Sequence, residues 1–211
     1  NGNGTIYGNG YMEVNDGGHV DFAYHGAIDG ELVVNDGNVL WAYELNIGTM
    51  GGTGIVDMRK GGKIDFRGLR LGYGGTDGNG TLKIGSGVEV VETGGGGVDH
   101  FIGRDSGGTG TLVLGDADGG VTMTLASDPA SLNRTGTVRG AGTLSFGFWH
   151  HAIKMDGKVI ADGYGVDQTL NFIDLGLNDD GGFSIDNVND NPTDGNYGWH
   201  AVNGGRLVIP Q

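Results

Sequence analysis

Gly78-Asn79-Gly80-Thr81-Leu82-Lys83-Ile84 and Gly108-Thr109-Gly110-Thr111-Leu112-Val113-Leu114 share one pattern, a Gly-x-Gly step followed by an alternating apolar run. Related runs open at Gly8-Asn9-Gly10-Tyr11-Met12-Glu13-Val14, Asp29-Gly30-Glu31-Leu32-Val33-Val34, Gly52-Thr53-Gly54-Ile55-Val56-Asp57-Met58 and Gly140-Ala141-Gly142-Thr143-Leu144-Ser145-Phe146. Self-similarity at tens of residues decides the architecture before any local motif does. The last glycine of each opening falls at 10, 30, 54, 80, 110 and 142, giving steps of 20, 24, 26, 30 and 32 residues. So drifting a period implies strands of fixed length joined by turns that vary, because insertions collect in surface turns.

Two further markers keep step with the first. Leu45-Asn46-Ile47-Gly48, Leu69-Arg70-Leu71-Gly72 and, more loosely, His100-Phe101-Ile102-Gly103 precede an opening by 6, 8 and 7 residues. Gly18-His19-Val20-Asp21-Phe22, Gly62-Lys63-Ile64-Asp65-Phe66 and Gly120-Val121-Thr122-Met123 follow one. Each repeat reads as short strands joined by glycine turns. Apolar positions alternate within a strand, as at Leu82 and Ile84, so one face points into a narrow core and the other to water. Three strands in a unit of about 20–30 residues predict an all-β chain folded as a parallel β-solenoid, or β-helix. An antiparallel sandwich or barrel is the competing reading; the fixed order of the three strands favours the solenoid. Gly48, Gly54, Gly72, Gly80, Gly103 and Gly110 are expected in turns or where strands begin.

Glycine supplies 48 of 211 residues and proline 3 without a Gly-x-y period, which excludes collagen and assigns most glycines to turns. Disorder competes as a reading of so glycine-rich a chain, but ordered alternation in every repeat argues against it. Glycine recurs too often for a long helix. The expected exception is one helical turn over residues 127–132, started by Asp128. With 12 basic and 26 acidic residues the net charge is −14, and the sequence has no basic cluster. Nucleic acid and anionic membrane surfaces are therefore excluded as partners. No apolar run is long enough for membrane insertion, and no signal peptide is visible. The chain begins at Asn1 inside the repeat pattern, so a leader or further domain is expected to have been removed or to lie outside it.

Acidity, high Gly, Asn, Asp and Thr content and the absence of cysteine fit a protein that crosses a bacterial envelope unfolded. The succession Leu45-Asn46-Ile47-Gly48, Gly52-Thr53-Gly54, Gly61-Gly62-Lys63-Ile64, Leu69-Arg70-Leu71-Gly72 and the run from Gly78 to Ile84 resembles the repeat associated with type V secretion passengers and PEP-CTERM surface proteins. That repeat alternates an L-x-I-G arm with a G-x-G-T-L-x-I arm and a glycine-paired turn. The resemblance covers residues 8–146, best over 45–114, with residues 92–99 and 116–119 departing as insertions. It implies an exported β-solenoid whose repeats are scaffold, located at the bacterial cell surface or outside the cell, without catalytic residues.

From Trp149 the openings stop and aromatic residues concentrate. The chain is expected to divide into glycine-rich repeats at 1–148 and a divergent, aromatic-richer β region at 149–211 that serves as a cap or an assembly contact. The opposite end runs straight into the first repeat. Unpaired strand edges are normally avoided unless they have a partner. Ile6, Tyr7, Leu207, Val208 and Ile209 are therefore candidate contacts through which copies join head to tail, a geometry that does not close and yields a filament.

Candidate chemistry is sparse. The oxygen-rich segment holding Asp186, Asn189, Asp190 and Asp194 has the character Ca²⁺ prefers but lacks the terminal bidentate Glu of an EF-hand loop, and a plain Asx-turn loop is the first reading. No cofactor other than such a Ca²⁺ is expected. His150 and His151 would face opposite sides of a strand and so cannot share one ion there; the six histidines otherwise read as surface or partner contacts. A carboxylate pair such as Asp21 and Asp65, exposed on stacked strands, could do glycoside or lyase chemistry, but nothing in the spacing distinguishes it from solubilising acids and almost any acidic solenoid offers such a pair. The leading expectation is a non-catalytic extracellular structural protein: a self-assembling fibre subunit, or a surface passenger or adhesin segment whose partners are copies of itself. The alternative is a carbohydrate-binding or carbohydrate-cleaving β-helix acting on a surface polysaccharide. Exposed aromatics converging with an Asp, Lys or Arg group would favour it.

Overall fold

The computed structural model describes residues 5–208 except 7, 9, 23–24, 42, 50, 74–76, 94–97, 105–106, 126–129, 134, 147–153, 156, 167 and 175–197. Within these residues the chain is all-β, with no helix. Its strands form stacks that the chain visits in rotation. The first stack contains Thr5–Ile6, His25–Ile28, Glu44–Ile47, Gly68–Leu71, His100–Ile102, Ala130–Leu132 and Lys154–Met155. The second contains Tyr11–Val14, Glu31–Val34, Thr53–Met58, Asn79–Ile84, Thr109–Leu114, Gly136–Gly140, Lys158–Asp162 and Gly198–Val202. The third consists of two four-stranded sheets, Gly18–Phe22, Gly37–Trp41, Lys63–Phe66 and Glu89–Glu92, then Val121–Leu125, Gly142–Phe146, Gln168–Asp174 and Gly205–Val208.

Every ladder between these strands is parallel. Each joins a strand to the third one after it, except the last two, which flank residues 175–197. The competing antiparallel architectures do not describe the chain. One antiparallel bridge, Asp116 with Gly119, closes a tight turn.

Parallel registration stacks like residues into columns. In the second stack Leu32, Val56, Leu82, Leu112, Val138 and Val159 lie one above another, each essentially inaccessible to water. Ile28, Ile47, Leu71, Ile102 and Leu132 do the same in the first. Burying each such side chain contributes about 1.5–3 kcal/mol. These columns merge into one continuous core.

Glycine makes the corner between the first two stacks possible. Gly48, Gly72 and Gly103 leave the first stack at φ of 67°, 66° and 76°, a region that glycine enters without steric cost. Gly54, Gly80 and Gly110 then occupy the second position of their strands. A Cβ on Gly80 would collide with the Ile47 carbonyl oxygen and the Gly72 amide.

Three expectations change. The opening at Gly142 belongs to the third stack, where it pairs with Val121; Gly136 pairs with Gly110 and takes the corner against the Ile102 carbonyl. Within residues 127–132, the part described, Ala130–Leu132, is a strand rather than a helical turn, because Leu132 completes the apolar column above Ile102. His100 is not a surface residue. Its ring is 1% exposed, its Nδ1 accepts the Leu69 amide at 3.1 Å, and its Nε2 faces Glu92 at 3.2 Å. With Nδ1 accepting, the ring proton sits on Nε2 and is donated to the carboxylate.

Candidate functional site: an arginine and aromatic face

Outward positions on a parallel ladder repeat every ~4.8 Å, so residues some thirty apart in sequence become neighbours. On the outer side of the first stack Asn46, Arg70 and Phe101 share one column. Past the corner glycines Gly72 and Gly103, Tyr73 and Arg104 follow. The Tyr73 and Phe101 rings stack, with centroids 4.7 Å apart and planes 13° from parallel. The Arg70 guanidinium lies 4.9 Å from the Tyr73 centroid and 6.0 Å from that of Phe101, and the Arg104 guanidinium lies 4.9 Å from Tyr73. At the preceding corner Arg67 covers Tyr43 at 5.2 Å.

Arg70 is fixed from the neighbouring strand. Its guanidinium donates to the Glu44 carboxylate at 3.0 and 2.9 Å, with the two side chains 20% and 8% exposed. Arg104 differs, because its guanidinium has the Tyr73 ring beneath it and no acceptor among the described residues. Two arginines gathered on one pair of stacked rings stand out in a chain whose net charge is −14. Each arginine over an aromatic ring gains about 0.5–1 kcal/mol where exposed. The arrangement can bind a planar anion and pack against the apolar face of its carrier.

Among the described residues the other candidates assemble no reaction centre. Asp21 and Asp65 both lie opposite Leu40, so a whole strand separates them. Asp21 pairs with His19 at 2.5 Å and Asp65 with Lys63 at 3.3 Å, each within its own strand. Ile6 and Leu207 pack against opposite ends of the core, stacked on Ile28 and Leu170, and Val208 pairs with Asn171. Tyr7, Ile209, His150, His151 and the Ca²⁺ candidates Asp186, Asn189, Asp190 and Asp194 lie outside the described residues. Among the described residues no group of three or more His, Asp or Glu is placed to hold a metal ion.

Two further carboxylates hold turns together. Burial pushes the Asp116 carboxyl upward, but hydrogen bonds from the amides of Ser86, Asp118 and Gly119, at 2.8, 2.9 and 3.2 Å, outweigh it and leave its pKa lowered. Asp162 is lowered too. Its burial is outweighed by the Tyr164 amide at 3.0 Å, the Arg139 guanidinium with Nε at 2.8 Å, and Asn203 at 3.1 Å. Asp162 thereby ties the turn after its own strand to the turn after Gly198–Val202 on one side and to the strand Gly136–Gly140 on the other.

The arginine and aromatic face went unread in the sequence, yet a signal for it exists. Aligning Leu69-Arg70-Leu71-Gly72-Tyr73 on His100-Phe101-Ile102-Gly103-Arg104 sets Arg70 beside Phe101 and Tyr73 beside Arg104. Among known proteins, no family model, curated protein or solved structure matches the chain.

Proposed function

We propose that the three stacks are the faces of one parallel β-solenoid, and that the chain is a non-catalytic structural segment of an exported surface protein. What supports the reading is the strand order: a parallel ladder joining each strand to the third one after it is what successive turns of a coil produce. Repeats of this kind bury their apolar columns only against neighbouring repeats, so their product is an elongated scaffold. The separation of Asp21 from Asp65, and the engagement of each within its own strand, supports a scaffold over a cleaving enzyme. A fibre subunit and a passenger segment differ in what continues the ladders, another copy or the same chain. Prolonged incubation with acidic and neutral polysaccharides followed by assay of new reducing ends tests the non-catalytic role. No release is expected, and turnover would overturn it. Electron microscopy across a concentration series separates filaments of a fibre subunit from monomeric rods of a passenger.

A second reading is favoured by one observation. The Arg70, Tyr73, Phe101 and Arg104 cluster is the convergence of aromatic and charged groups that a carbohydrate-binding surface needs. A scaffold and a binding surface are compatible, since the cluster lies outside the core.

A further inference from the structure

We propose that this face binds an acidic polysaccharide, holding a uronate carboxylate with Arg104 while the sugar ring packs along the stacked Tyr73 and Phe101 side chains. The proposal rests on the carbohydrate-binding reading and names its ligand class. The division of labour between the arginines points to it. Arg70 is already committed to Glu44, whereas Arg104 presents its guanidinium donors without an acceptor among the described residues and is oriented by the Tyr73 ring. A guanidinium fork matches a carboxylate in two parallel hydrogen bonds.

Size selects the occupant. The four side chains come from two adjacent strands and the corners that follow them, about four residues along each, so the face measures roughly 10 by 13 Å, on the order of 100 Å². A stable protein partner needs about 800 Å² per side. A single extended polymer chain fits the smaller dimension, and repeated carboxylates along it allow rebinding at the same cation. Glu44 helps by neutralising Arg70, which leaves one anion-binding group and a defined polarity. The acidity of the rest of the molecule makes indiscriminate attraction of polyanions weak, so binding here requires the local fork.

The test is calorimetric titration of the full chain with oligogalacturonate and with neutral cello- and xylo-oligosaccharides, for the native protein, Arg104→Gln and Tyr73→Ala. Melting curves accompany each, and Arg104→Gln is expected to stay folded and melt within a few degrees of the native chain, because the contact it loses, to the Tyr73 ring, contributes about 0.5–1 kcal/mol. Oligogalacturonate should bind, weaken as salt rises, and lose roughly tenfold or more in affinity with Arg104→Gln, the loss typical of one charge-assisted pair. Neutral oligosaccharides that bind equally well, indifferent to Arg104→Gln, would overturn the proposal while leaving the carbohydrate-binding reading standing. If no oligosaccharide binds at all, both fall. Concentration-dependent dimerisation abolished by Arg104→Gln, without glycan binding, would assign the face to a second copy and overturn the proposal.

Discussion

At the residue scale the backbone of Gly80 sits so close to the preceding turn that the space for a methyl group is occupied by the Ile47 carbonyl and the Gly72 amide. Gly80→Ala must move backbone on both sides of the corner and is expected to cost about 3 kcal/mol. Gly119, with only the Ser86 Cβ nearby at 3.6 Å, serves as control, and Gly119→Ala should change stability by less than about 0.5 kcal/mol. Thermal melting of the two variants checks the contrast. Asp116 and Asp162 yield a pH prediction. Both carboxyls have folded pKa values below their ordinary value of 3.8. The stability they add is complete above that value and is lost as pH falls through the folded pKa. Melting temperature measured from pH 7 down to pH 2 should drop below about pH 4, and in Asp116→Asn or Asp162→Asn this acid limb should be shallower and the neutral-pH melting temperature lower.

At the element scale protection should follow ladder position. Thr53–Met58, Asn79–Ile84 and Thr109–Leu114 are paired on both sides, whereas among the described residues Tyr11–Val14 pairs only with Glu31–Val34 and exposes Tyr11 and Met12. Native-state hydrogen exchange should show the central strands opening only with the global transition and Tyr11–Val14 opening locally. Uniform protection across these strands would contradict it. The strand markers were legible in the sequence because alternation and glycine corners are local. The phase at Gly142 was not, because Gly136-Thr137-Val138 carries only one glycine of its opening while Gly140 and Gly142 imitate the full one. Ala130–Leu132 looked helical from its Asp-Pro start, and the column above Ile102 overrode that propensity. The arginine and aromatic face has a different origin: the aligned markers set Arg70 beside Phe101 and Tyr73 beside Arg104, but that these outward side chains stack on one another shows only once the two strands are paired in space.

At the scale of the whole molecule one topological claim is central, that neighbouring strands within each stack are parallel and come from successive repeats rather than from consecutive strands. The chain contains no cysteine, so engineered pairs report proximity without background. Thr81 lies opposite Ile55 on one side and Thr111 on the other, all three half-buried and facing outward. Neighbouring parallel strands bring such α carbons to about 4.8 Å, within the range a disulfide spans. An antiparallel meander would instead set Thr81 against the strand next in sequence, which contains Val90. The decisive measurement is oxidative cross-linking of Thr81→Cys paired with Thr111→Cys, Ile55→Cys or Val90→Cys. The account predicts rapid intramolecular disulfides in the first two pairs and none in the third; a disulfide between positions 81 and 90, with none to 55 or 111, would contradict it.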